Sequence, residues 1–82
     1  ERNAIEGLIL QLSDPDERAV IRLRYFDRAD WESTCGVLFG DRRDYVDRAD
    51  AYQNRTYKIH GRALLNLAAV LDELEPLPEL RQ

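Results

Sequence analysis

Arg55, Lys58 and Arg62 stand at positions i, i+3 and i+7, and Arg48 stands seven residues before the first of them. On a helix this spacing sets the four side chains along one face, since residues three, four and seven apart lie nearly over one another. A row of fixed cations neutralises phosphates along a nucleic-acid backbone, and a helix that keeps its apolar residues on another face can be placed in a DNA major groove. Arg42 and Arg43 extend the basic segment upstream, so an anionic partner is expected against residues 42–62. A solvated surface face would carry the same charges, and the stripe seen alone favours that reading.

Side chains for catalysis are scarce. His60 is the single histidine and Cys35 the single cysteine, far apart in the chain. No Ser or Cys is spaced as a nucleophile with His60 as its base. One His and one Cys do not make a zinc site, and no Asp-rich loop has the spacing and glycine of a calcium site. No catalytic, cofactor or metal site is expected, and the chain reads as a binding domain, not an enzyme. Trp31 is expected as a core anchor, Cys35 as a small buried hydrophobe, and His60 as a packed or hydrogen-bonded helix residue. Tyr45, Tyr52 and Tyr57 are read as half-buried core residues, with stacking on a partner as the alternative.

These residues belong to a chain of 82 residues, 44% hydrophobic and 34% charged, which fits one folded domain with a modest core. A lone cysteine excludes an internal disulfide and suits a reducing cytosol. No apolar run approaches the length that spans a bilayer, and no signal-peptide core is visible, so a soluble, cytoplasmic protein without a membrane partner is expected. The absence of any methionine suggests a chain cut from something longer. The net charge of −4 argues against a nonspecific nucleic-acid coat. Part of that charge is C-terminal, where Asp72, Glu73, Glu75 and Glu79 lie beyond the basic middle.

The apolar periodicity predicts an all-α domain of four helices. Ile5, Leu8, Ile9 and Leu12 form one face of a helix over residues 4–12, a face open either to a second copy or to the core. Asp14, Pro15 and Glu17 stop and restart the chain as a cap, a first-turn proline and a capping-box partner. The second helix is predicted from about Pro15 to Phe26, with Val20, Leu23 and either Ile21 or Tyr25 inward, and with Arg18, Arg22 and Arg24 largely solvated. Asp30 caps a third helix that sets Trp31, Cys35 and Leu38 on one face and stops at Gly40. A charged loop over 41–50 leads into a long helix from about Asp47 to Leu74, with Ala49, Tyr52, Thr56, Ile59, Ala63, Leu67 and Leu71 inward. Gly61 within it suggests a close packing contact. Glu75, Pro76 and Pro78 end that helix, and 75–82 is expected to be a loose acidic tail.

The order of two short helices, the second carrying Trp31, followed by a longer basic helix resembles region 4 of the sigma-70 family and its helix-turn-helix relatives. Residues 14–26 (DPDERAVIRLRYF) are similar to the acidic start and "R-x-V-hydrophobic-x-L-R-Y" of that family. Trp31 to Gly40 resembles its supporting helix, and IHGRAL at 59–64 resembles the end of its recognition helix. The nearest likeness is to phage and prophage transcriptional regulators of the ArpU and RinA type, over roughly Leu12 to Leu71. The resemblance implies a helix-turn-helix domain whose long C-terminal helix is the recognition helix. It places Trp31 and Leu38 in the supporting core, sets Asn54, Arg55 and Lys58 toward bases or phosphates, and sets Arg62 toward the backbone. It further implies double-stranded DNA as partner, with RNA polymerase and a second copy as further partners. A protein-interaction module on the same scaffold and a phage DNA-packaging recognition domain are the alternatives. Two departures stand out: the long insertion between Gly40 and Arg55, where a standard helix-turn-helix has a tight turn, and the net acidity.

Overall fold

A computed structural model of the chain describes residues 2–74, and side chains from 6 to 73. Among the described residues the chain is all-α: α1 (Arg2–Leu10), α2 (Pro15–Ile21), α3 (Trp31–Phe39) and α4 (Ala49–Leu74). The expected tail at 75–82, and the side chain of Ile5, lie outside the described residues.

Local chemistry accounts for the helix starts. Asp14 holds an extended conformation and its carboxylate accepts from the Asp16 amide at 2.8 Å, with Pro15 in the first turn. Asp30 does the same for α3, accepting from the Ser33 amide at 2.7 Å. The predicted capping box is not the bond that Glu17 makes. Its side chain is buried against α4, where it accepts from Asn66 Nδ2 at 2.9 Å.

α2 runs into a wider π-helical turn over Arg22–Phe26, closed by the Asp27 amide donating to the Arg22 carbonyl at 3.0 Å. A five-residue step from Ile21 brings Phe26 onto the same face, so Ile21 and Phe26 both reach the core while Tyr25 is turned out at 53% exposure. Of the two residues considered for this face, Ile21 is therefore the inward one. The chain then reverses through Arg28, whose φ of 58° is a left-handed conformation uncommon outside glycine. Arg18 and Arg24 depart from the expected solvated placement. Both are half-buried, Arg18 donating to the Leu12 carbonyl and Arg24 to the Ala29 carbonyl at 2.7 Å, so they tie off the loops at the two ends of α2.

α4 is the spine against which the other helices pack. Ile9 from α1, Leu12 just beyond its end and Ile21 from α2 close on Ala63, flanked by Phe26 and Leu67. Cys35 and Phe39 from α3 close on Tyr52, flanked by Leu38, Tyr45 and Ile59. Burial of a Leu- or Ile-sized side chain stabilises by about 1.5–3 kcal/mol, so the α1 stripe contributes substantially to this single-chain core. Ile9 and Leu12 are thus occupied within one molecule rather than presented to a second copy. Thr34 and Thr56, fully buried, satisfy their hydroxyls on carbonyls of their own helices, Asp30 and Tyr52.

The inward stripe of α4 is shorter than predicted. Tyr52, Thr56 and Ala63 are buried and Ile59 and Leu67 half-buried, whereas Ala49 and Leu71 are exposed. Gly61 is also exposed, and a Cβ built there would meet nothing within 4 Å, so the packing contact expected of it is absent. Gly40 is the glycine with a steric role. It ends α3 in a right-handed conformation, and a Cβ there would run into the Gly36 carbonyl oxygen. No described helix is long and apolar enough to cross a membrane.

Candidate nucleic-acid interface

The link at 40–48 is a series of turns. The Arg42, Tyr45 and Arg48 amides donate to the carbonyls of Phe39, Arg42 and Asp44, and the Tyr52 amide donates to the Arg48 carbonyl as α4 begins. α4 therefore starts at Ala49, and Arg48 precedes it by one residue. The nine-residue link, longer than a tight turn, folds back beside the start of α4, so Arg42 and Arg55 arrive over one ring. Their guanidinium carbons lie 5.7 and 5.4 Å from the Phe39 centroid.

Phe39 is fixed from behind. It stacks on Tyr52 at 5.1 Å, and Tyr52 stacks on Tyr45 at 6.0 Å. The Tyr52 hydroxyl donates to Asp44 Oδ1 at 2.6 Å, which holds the Asp44 carboxyl below its ordinary range, with Arg48 and Arg42 adding to the effect. The same bond raises the Tyr52 phenol. Asp44 is thus a charged pin between two arginines, and a concavity of about 330 Å³ lined by Asp44, Arg48, Ala51, Tyr52 and Arg55 opens there.

Lys58 and Arg62 continue along α4 on the flank of Arg55, with Asn54 nearby, and Arg43 lies on the turn; all four are exposed, as are Arg42, Arg48 and Arg55. All seven predicted residues are therefore at the surface. Arg42, Arg48 and Arg55 are brought together around Asp44 and Phe39, and Lys58 and Arg62 extend the row. From Ala51 to Leu71 the helix contains no Asp or Glu at all, so the acidity of the chain lies outside the cationic stretch of α4.

The other flank of α4 carries Trp31 and its neighbours. Trp31 is half-buried, in edge contact with Tyr57 at 4.8 Å and His60 at 5.0 Å, and covered by the Arg24 guanidinium at 4.0 Å. His60 Nε2 and the Tyr25 hydroxyl are 2.8 Å apart. Burial and then the Arg24 charge push the His60 pKa below its ordinary 6.5, which keeps the ring neutral near pH 7. This cluster anchors α2 and α3 on α4, in keeping with the core role expected of Trp31. Tyr45 and Tyr52 are core residues, half-buried and buried, while Tyr57 is 43% exposed.

Comparison with family models, with curated proteins and with solved structures gives no match.

Proposed function

We propose that the chain is a DNA-binding domain that reads double-stranded DNA with the basic flank of α4, assisted by the turn at 40–48. The observation that carries the reading is the convergence of Arg42 and Arg55 on Phe39, with Arg48 beside them and Lys58 and Arg62 in line on a helix free of carboxylates from Ala51 to Leu71. Arginines stacked on a ring lose less freedom on binding than arginines on a mobile surface, and a guanidinium offers a planar fork to phosphate or to guanine. A helix packed along one side and cationic along another is the form a major-groove reader takes.

Phosphate contacts fix position while base contacts fix sequence. Arg42, Arg48 and Arg62, at the margins of the row, suit the first task. Asn54, Arg55 and Lys58, in the first half of α4, suit the second. Contact with RNA polymerase and a role in phage or mobile-element transcription rest on the sequence resemblance alone. Enrichment of bound duplexes from a random pool tests the reading: a recurring motif retained by the wild type and lost with Arg55→Gln, Lys58→Gln and Arg62→Gln combined supports it, and a pool that never departs from random refutes sequence-specific readout.

A further inference from the structure

α4 carries a second, chemically different face. Tyr57, Leu64 and Leu71 recur every seven residues and are 43, 44 and 45% exposed, and Leu65 beside them is 73% exposed. Gly61 and Ala68, also seven apart and exposed, lie between them on the same side. Four large apolar side chains in one helical band form a contiguous patch, which a soluble chain rarely leaves uncovered. Small residues within the band let another helix come close.

From this we infer that the face is covered by a second copy of the same chain, with the two α4 helices antiparallel. The band supplies its own complement in that orientation. With Leu64 set against the partner's Leu65, Gly61 falls against the partner's Ala68, and Lys58 falls beside the partner's Leu71 and Asp72. Each contact occurs twice about the two-fold axis, as an isologous interface requires. Charge selects the orientation. The first half of α4 holds Arg55, Lys58 and Arg62, and its far end holds Asp72 and Glu73. Antiparallel pairing brings Lys58 of each helix toward the acidic end of the other, whereas parallel pairing would set Lys58 on Lys58 and Asp72 on Asp72. Ile9 and Leu12, already buried within one chain, are not needed for this contact, and most of the basic row lies on another flank.

Sedimentation equilibrium of the 82-residue chain across micromolar to millimolar concentrations, with a cysteine cross-linking series, tests the inference. A reversible monomer–dimer equilibrium is expected. Leu65→Glu, at an exposed position that leaves the fold intact by circular dichroism, should weaken the dimer tenfold or more. On a Cys35→Ser background, Leu65→Cys should form disulfide-linked dimers under mild oxidation. Tyr57→Cys should cross-link with Leu71→Cys in a mixture but not with itself. A chain that stays monomeric throughout, a dimer indifferent to Leu65→Glu, or self-linking of Tyr57→Cys would each overturn it.

Discussion

Replacement of Gly61 by alanine should stabilise the protein. Gly61 lies twelve residues into a 26-residue helix, is solvent-exposed, and has open space where a Cβ would go. A glycine in a helix interior costs about 0.5–1 kcal/mol relative to alanine, mostly through the freedom it retains when unfolded. With no steric term to set against this gain, Gly61→Ala should add about 0.5–1 kcal/mol, a rise in Tm of roughly 2–8 °C for a domain of this size. The assay is thermal unfolding followed by far-ultraviolet circular dichroism, on wild type and on a Leu65→Glu background so that self-association does not contribute. Gly40→Ala is the matched contrast. The added Cβ meets the Gly36 carbonyl oxygen, and forcing that group aside should destabilise by about 1–3 kcal/mol. If Gly61→Ala lowered Tm on the monomeric background, the helix would be packed at that point and the placement of α4 would be wrong.

Other perturbations follow from the same contacts. Trp31→Ala removes the ring on which Arg24, Tyr57 and His60 converge and should cost about 3–5 kcal/mol in denaturant unfolding. Because the folded state depresses the His60 pKa, the unfolded chain takes up a proton first as pH falls below 6.5, and stability drops over that window; His60→Gln should flatten this limb of the pH–stability curve. Asp44, also held low, contributes stability above the ordinary aspartate range near 3.8 that is lost on acidification below it, and Tyr52→Phe should make that acid loss shallower. At the alkaline end the raised Tyr52 phenol contributes stability that is complete below pH 10 and lost as pH climbs through its folded value, a loss that Tyr52→Phe should abolish.

What the sequence made legible was whatever short-range chemistry decides. Asp14, Pro15 and Asp30 marked helix starts because capping is local, and the seven-residue recurrences of α4 named its inward residues wherever another helix covers them. The interactions that escaped are those whose partners are distant or whose helix geometry changes. Glu17 reads as a capping-box residue from four positions of sequence, yet its partner Asn66 is on another helix. Tyr25 turns outward and Phe26 inward because the π-helical turn alters the period, and nothing in RLRYF signals that change. Arg18 and Arg24 look like solvent-facing cations until loop carbonyls are placed within their reach. Within the candidate site the row of Arg55, Lys58 and Arg62 was visible in the spacing, whereas the meeting of Arg42 with Arg55 over Phe39 depends on how the 40–48 turns fold back. The one signal for it was the excess length of that link over a tight turn.

The central claim, a DNA-reading flank on α4, is tested most directly by the salt dependence of binding. Fluorescence anisotropy with a labelled duplex carrying the enriched motif would be recorded across a salt series, for wild type and for the combined Arg55→Gln, Lys58→Gln, Arg62→Gln variant. If Arg42, Arg48 and Arg62 each neutralise a phosphate, log K against log salt should have a slope of about −3, or about 40-fold weaker binding from roughly 50 to 200 mM. The triple variant should bind more weakly at every salt concentration and flatten the slope to about −2. A wild-type slope near zero, or a triple variant whose slope and affinity match the wild type, would contradict the account.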